Sequence, residues 1–431
     1  MNCTQFAVKG DFISAVTKDI LVTHPHSYAL CESGRIIDFV ETLPNGTWST
    51  VPCFDFSGLL IVPGCVDLHV HAPQYAFRGI GLELELIQWL NTYVFPEEAK
   101  YAGTDYAQEN YRFFADALEA SPSCRAAIFG TIHTKSTLVL ADILKKKEIP
   151  CFIGKVNMDR NSPDYLCETA ETSLNATQAF VTALKDEKMT APIVTPRFVP
   201  SCTPALMNTL GKMVVEQHLP VQSHLSENKK EIAWVEKLHP ECKNYTDVYD
   251  RYGLLTDRTI LAHCVHPTDA GIELLVKRGA YVAHCPEANI NLMSGIAPVA
   301  RLLDAGVHVG LGSDIAAGAQ LSIFKAMVSA LQASKMRKYF REGERTLSVS
   351  EVLYLGTKGG GSFFGNTGSF EKNYWFDAMV IDDSRFGMHT GFSLEQRLER
   401  VLYLVEERHM IAKFVQGRCV WNKQKHAKAG R

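Results

Sequence analysis

Eight short apolar runs recur between residues 63 and 312, and segments with apolar residues at helical spacing fill the gaps between them. The runs are GCVDLHV (64–70), AAIFGTI (126–132), CFIGKVNM (151–158), PIVTPRF (192–198), PVQSHL (220–225), TILAHCV (259–265), AYVAHC (280–285) and VHVGLG (307–312). Continuous apolar strands suit a parallel sheet covered on both faces, where no polar face has to meet water. The intervening stretches, such as ADILKKKEI and ALMNTLGKMVVEQ, carry the helical period. Eight strand–helix units over about 250 residues are the usual size of a (β/α)8 barrel. A doubly wound open sheet has the same periodicities and competes with it at this level.

The ends of the chain read differently. Residues 1–62 contain alternating stretches and turns, SYALCESGRIIDFVE and LPNGTW among them, with little helical period. Residues 366–431 do likewise in FDAMVIDD and AKFVQGRCVW. The expected architecture is therefore α/β, with a TIM-like barrel over 63–365. A small composite β-sandwich is expected from 1–62 and 366–431, ending in the basic, solvated tail WNKQKHAKAGR.

Composition excludes several classes of function. A formal net charge of −3 over 431 residues gives no broad pull toward nucleic acid or an anionic membrane. No run approaches the roughly eighteen apolar residues of a membrane span. The start, MNCTQFAVKGDF, lacks the charged-then-apolar pattern of a secretory signal. The 12 cysteines are scattered and form no C-x-x-C. Reduced thiols in a cytoplasmic protein are the expectation, and a cysteine-ligated zinc site is not.

Chemistry collects at the strand ends. The first run closes on His69 and His71, and because strand side chains alternate, both imidazoles point to one face. The fifth run leads into SHLSEN, with His224 and Glu227; the sixth carries His263; the eighth runs into GLGSD, with Asp314. Taken singly, each is as well explained by a cap, a helix-dipole partner or a solvated face. Together they would place metal-compatible groups from four strands at one barrel mouth, where active sites of this fold lie. Three imidazoles and a carboxylate suit Zn2+ with a position left for water, and Fe2+ accepts the same set. His284 reads as a structural hydrogen-bonder, His308 lies toward the opposite end, and His133 and His266 have no defensible role.

These residues resemble the guanine deaminases of the amidohydrolase superfamily. The likeness runs through PGCVDLHVHAPQY, TIHTKS, GKVNMD, TPRFVPSC, QSHLSEN, NYTDVYD, HCPEANINLMSG and GLGSDIAAG. H-x-H marks only the superfamily, whereas TPRF and SHLSEN with HAPQ are far more specific. The resemblance implies zinc-dependent hydrolysis of the small molecule guanine to xanthine and ammonia, usually by a homodimer. It assigns one metal per chain to His69, His71, His224 and Asp314. It gives proton transfer to Glu227, with His263 and Asp314 assisting, and purine binding to Gln74, Arg197 and Phe198. Ala288 stands where the family commonly has Ser, DIAAG replaces a glycine-richer segment, and SPSCRAAIFG lacks an expected Gly-Thr-Thr. None of these removes a ligand or the shuttle.

The rival readings are a related mononuclear deaminase of another purine, a pterin or a triazine, and a non-enzymatic scaffold on the same fold. A binuclear relative would need a carboxylated Lys155. A cytidine-deaminase zinc fold lacks its H-x-E and P-C-x-x-C signature here.

Overall fold

The computed structural model describes residues 4–387 and 391–423. Its first four strands are β1 (Gln5–Ala15), β2 (Leu21–Glu32), β3 (Arg35–Val40) and β4 (Cys53–Pro63). The barrel follows without a linker. Its strands are β5 (Cys65–His71), β6 (Ser123–Phe129), β7 (Cys151–Gly154), β8 (Val156–Asn157), β9 (Thr190–Pro192), β10 (Thr195–Pro196), β11 (Val221–Leu225), β12 (Thr259–His263), β13 (Tyr281–His284) and β14 (His308–Leu311). The chain then returns to the terminal sheet through β15 (Ala378–Ile381), β16 (Met410–Val415) and β17 (Arg418–Asn422).

The barrel strands pair in parallel as β5-β6-β7-β9 and as β11-β12-β13-β14, with β8 beside β10. Two backbone links join the halves: Val194 N–H donates to Pro220 O at 2.9 Å and Gln222 N–H to Val194 O at 2.9 Å. At the other seam Asp314 N–H donates to His69 O at 2.8 Å, and His71 N–H to Ile315 O at 3.2 Å. These bonds close the ring and tie the first strand's histidines to the segment that carries Asp314. Gly312 permits that approach, since a Cβ there would lie 2.8 Å from both His69 Cβ and Cys285 Sγ.

Three of the strands depart from the sequence expectation. The second begins at Ser123 rather than Ala126, because Arg125 is buried and paired with Asp377 at 2.7 Å instead of marking a solvated end. The third breaks at Lys155, and the fourth is interrupted between Pro192 and Thr195. The fourth run contains two prolines, which cannot donate to a ladder.

The terminal strands form one continuous seven-stranded sheet, β17-β16-β15-β4-β1-β2-β3, parallel only between β1 and β4. Register shifts in β1, β2, β15 and β16 bend it. Its core includes Phe6, Phe12, Phe370, Phe376 and Phe414. Two buried cations fasten it to the barrel. Arg125 meets Asp377, and Lys413 Nζ donates to the carbonyls of Leu118, Ser121 and Ser123 at 3.0, 3.0 and 2.8 Å. The tail beyond residue 423 lies outside the described residues.

Candidate active site

The strand ends converge as the sequence pattern requires. His71 Nε2 lies 3.2 Å from His69 Nε2 and 3.3 Å from His224 Nε2. Asp314 Oδ1 is 3.2 Å from His69 Nε2 and 3.6 Å from His71 Nε2. His224 Nδ1 sits 2.6 Å from Arg197 O, so the Nδ1–H tautomer donates there and leaves the Nε2 lone pair facing its neighbours. One ring hydrogen on His71 cannot bridge three nitrogens, so mutual hydrogen bonding does not account for the cluster. A cation does, and imidazole nitrogens with a carboxylate oxygen are a donor set that Zn2+ and Fe2+ accept. Burial, reinforced by neighbouring cationic and imidazole groups, holds all three rings well below the ordinary histidine range, which favours the neutral form in which an imidazole can bind a metal.

Glu227 and His263 complete the mouth. His263 Nε2 is 3.5 Å from Glu227 Oε2 and 3.8 Å from Asp314 Oδ2, and its Nδ1 lies 2.9 Å from Asn289 Oδ1. Asn289 thereby fixes the outer nitrogen of the imidazole. Ser294 Oγ donates to Glu227 Oε1 at 3.2 Å. Burial, with the nearby Glu231 and Asp314 carboxylates, pushes the Glu227 carboxyl well up. The backbone there is held by the helix Lys229–Leu238, where Glu231 accepts from the N–H groups of Glu227 and Asn228 at 2.9 and 3.1 Å. Ser226, His263, Cys264 and Asp314 all adopt positive φ, between 47° and 74°. Such strain clusters where a surrounding structure over-determines a functional geometry.

One cavity joins these groups to the proposed purine readers. Its lining includes His71, His224, Glu227, His263 and Asp314 together with Gln74, Arg197 and Phe198. The structure thus brings every site residue expected from the sequence to one place. Arg197 is both a lining residue and half of a buried ion pair, with Nη1 and Nη2 on Glu98 at 2.6 and 3.1 Å.

Sequence reasoning missed Glu98, Asn289, Ser294 and the apolar wall of Leu86, Trp89 and Leu90. The wall comes from a helical segment with a π turn over Leu90–Val94, ahead of Pro96. A proline inside that otherwise helical segment was the available signal. The buried Nδ1 of His284 has no hydrogen-bond partner among the described residues. His308 lies at the start of β14, at the far end as expected. Lys155, the residue that a binuclear relative would carboxylate, bonds Glu168 and Ser173. Among the described residues, no helix is long and apolar enough to cross a membrane.

Comparison with known proteins gives a consistent set of relatives. The amidohydrolase family model matches residues 60–420. The chain is 37 % identical over 436 residues to the guanine deaminase of Mus musculus, covering 96 % of each. It is 33 % identical over 441 residues to that of Escherichia coli, covering 97 % of this chain and 98 % of the relative. A crystal structure of guanine deaminase from C. acetobutylicum, with guanine bound in its active site, matches with a TM-score of 0.94 at 43 % identity. That match covers 97 % of this chain and 100 % of the other.

Proposed function

The chain belongs to the amidohydrolase family and, within it, to the guanine deaminases, and on that premise we propose that it hydrolyses guanine to xanthine and ammonia with one zinc ion per chain. The observation that carries the reading is one cavity lined by metal-capable donors, the buried Glu227 carboxyl and the polar side chains of Gln74 and Arg197. Its polar groups converge between apolar walls, as small-molecule sites require. His69, His71, His224 and Asp314 would hold the ion, with Fe2+ the alternative occupant. When bound, such an ion supplies Lewis acidity that lowers the pKa of water from about 15.7 toward roughly 7.

The protein groups divide the remaining work. Glu227 takes a proton from the attacking water as its oxygen bonds to C2 of guanine. Attack breaks ring conjugation, and Glu227 returns the proton to N3. The second water proton passes to the exocyclic nitrogen as C2–N2 breaks, Asp314 accepting from the oxygen meanwhile. Atoms balance as guanine plus water giving xanthine plus ammonia. His263, held through Asn289, orients the attacking oxygen and stabilises charge developing on it. Arg197 and Gln74 donate to the O6 edge, and Phe198 bounds the ring. Adenine lacks O6 and would leave buried donors unpaired, which is the kind of mismatch that discriminates strongly.

A cytoplasmic homodimer completes the reading. The described cysteines are all free thiols, as a reducing compartment would leave them. The dimer follows from the family resemblance and predicts light scattering at twice the chain mass. Purified protein supplied separately with guanine, adenine, cytosine and a pterin should release ammonia from guanine. Release from the pterin or adenine alone would overturn the substrate assignment.

A further inference from the structure

Glu98 is not among the residues lining the cavity, yet it touches two polar residues that are, Gln74 and Arg197. It lies in the helix Phe95–Lys100, is 1 % exposed, and receives Arg197 Nη1 on Oε2 at 2.6 Å and Nη2 on Oε1 at 3.1 Å. Gln74 Nε2 donates to the same Oε1 at 3.1 Å. On its other side Gln74 Oε1 accepts Ala316 N–H at 3.2 Å, so both ends of the amide are fixed. Phe95, one turn before Glu98, lies beneath the guanidinium at 5.4 Å. One helical turn therefore sets the position, tilt and polarity of both readers.

The hydrogen-bond inventory shows what this leaves free. Arginine has five N–H donors and no acceptor, and Glu98 takes two of them. Glutamine has two amide hydrogens, of which Glu98 takes one, while the oxygen is anchored to the backbone. Hydrogens thus remain available to a ligand from both side chains.

We propose that Glu98 is a positioning residue that locks Arg197 and Gln74 into a donor array, selecting purines with a 6-oxo edge over those with a 6-amino edge. The inference rests on the guanine-deaminating reading. A 6-oxo group brings an acceptor to the array; a 6-amino group brings hydrogens toward hydrogens. Without the carboxylate, the Gln74 amide keeps only its Oε1 bond to Ala316 N–H and its nitrogen end loses its anchor, and the Arg197 plane loses its fork.

The test compares guanine with 2,6-diaminopurine, which carries the same 2-amino leaving group but an amine at position 6. In Glu98→Gln, the guanine-to-diaminopurine ratio of kcat/KM should fall about ten- to hundredfold, the scale of one hydrogen bond to a charged group. Bound metal per chain should be unchanged. Glu98→Asp keeps the charge with a shorter reach and serves if the amide variant does not fold; its ratio should fall as well. Equal losses on both substrates, or an unchanged ratio in a folded variant, would overturn the proposal. Wild-type protein that releases no ammonia from guanine would instead overturn the functional reading beneath it.

Discussion

Asp67 stands two residues before the first metal-capable histidine, and its carboxyl group ties the first barrel strand to Ser313, just beyond the last one. It is fully buried and accepts His69 N–H at 3.2 Å, Ser313 N–H at 3.0 Å and Ser313 Oγ–H at 2.5 Å. Asp67→Ala would strand all three donors. The hydroxyl can rotate to another partner, but the two backbone N–H groups cannot. At about 1–3 kcal/mol for each unsatisfied buried group, the loss should be about 2–6 kcal/mol. Because His69 and Asp314 flank the bonded atoms, metal affinity should also weaken about 10–100-fold. Asp67→Asn keeps one acceptor oxygen and should lose less on both measures. Urea unfolding followed by circular dichroism gives the stability, and competition with a chromophoric chelator gives the affinity. Asp67→Ala with stability within about 0.5 kcal/mol of wild type and unchanged metal affinity would refute the reasoning.

Glu227→Gln keeps the side chain's size but cannot accept the water proton. It should retain its metal and lose about 10⁴-fold or more in kcat with KM little changed, as steady-state kinetics and elemental analysis would register. Loss of the metal would make Glu227 a ligand instead. Arg197→Ala should lower kcat/KM for guanine by roughly two to four orders of magnitude. Because it also strands the buried Glu98 carboxylate, it should cost about 3–5 kcal/mol of stability in a denaturant titration.

The legible parts of this molecule are those carried by local pattern. β5 reads CVDLHVH, with every residue buried, and its period of two puts His69 and His71 on one face whatever the fold around it. His224, His263 and Asp314 could be found because a parallel barrel puts the ends of all its strands at one mouth. What stayed hidden depends on long-range partners. Glu98 lies 99 residues from Arg197, and nothing local to FPEEAK distinguishes it from Glu97, which meets Lys100 at 2.6 Å. Arg125 fell outside the second apolar run because its partner Asp377 arrives 252 residues later. Asn289 follows a similar logic, since its role is defined by His263 on the neighbouring strand. The order of the terminal sheet was equally out of reach, because pairing β4 with both β1 and β15 is set by where the barrel returns the chain.

His69, His71, His224 and Asp314 are expected to hold a single ion on which turnover of guanine depends. Protein stripped with a chelator, then titrated with Zn2+ or Fe2+ while ammonia release from guanine is followed, tests it most directly. Turnover should be absent at zero metal and rise linearly to saturation at about one ion per chain, and it should be abolished in His69→Ala and His224→Ala. Full guanine turnover by the metal-free protein, or saturation only at two ions per chain, would contradict it.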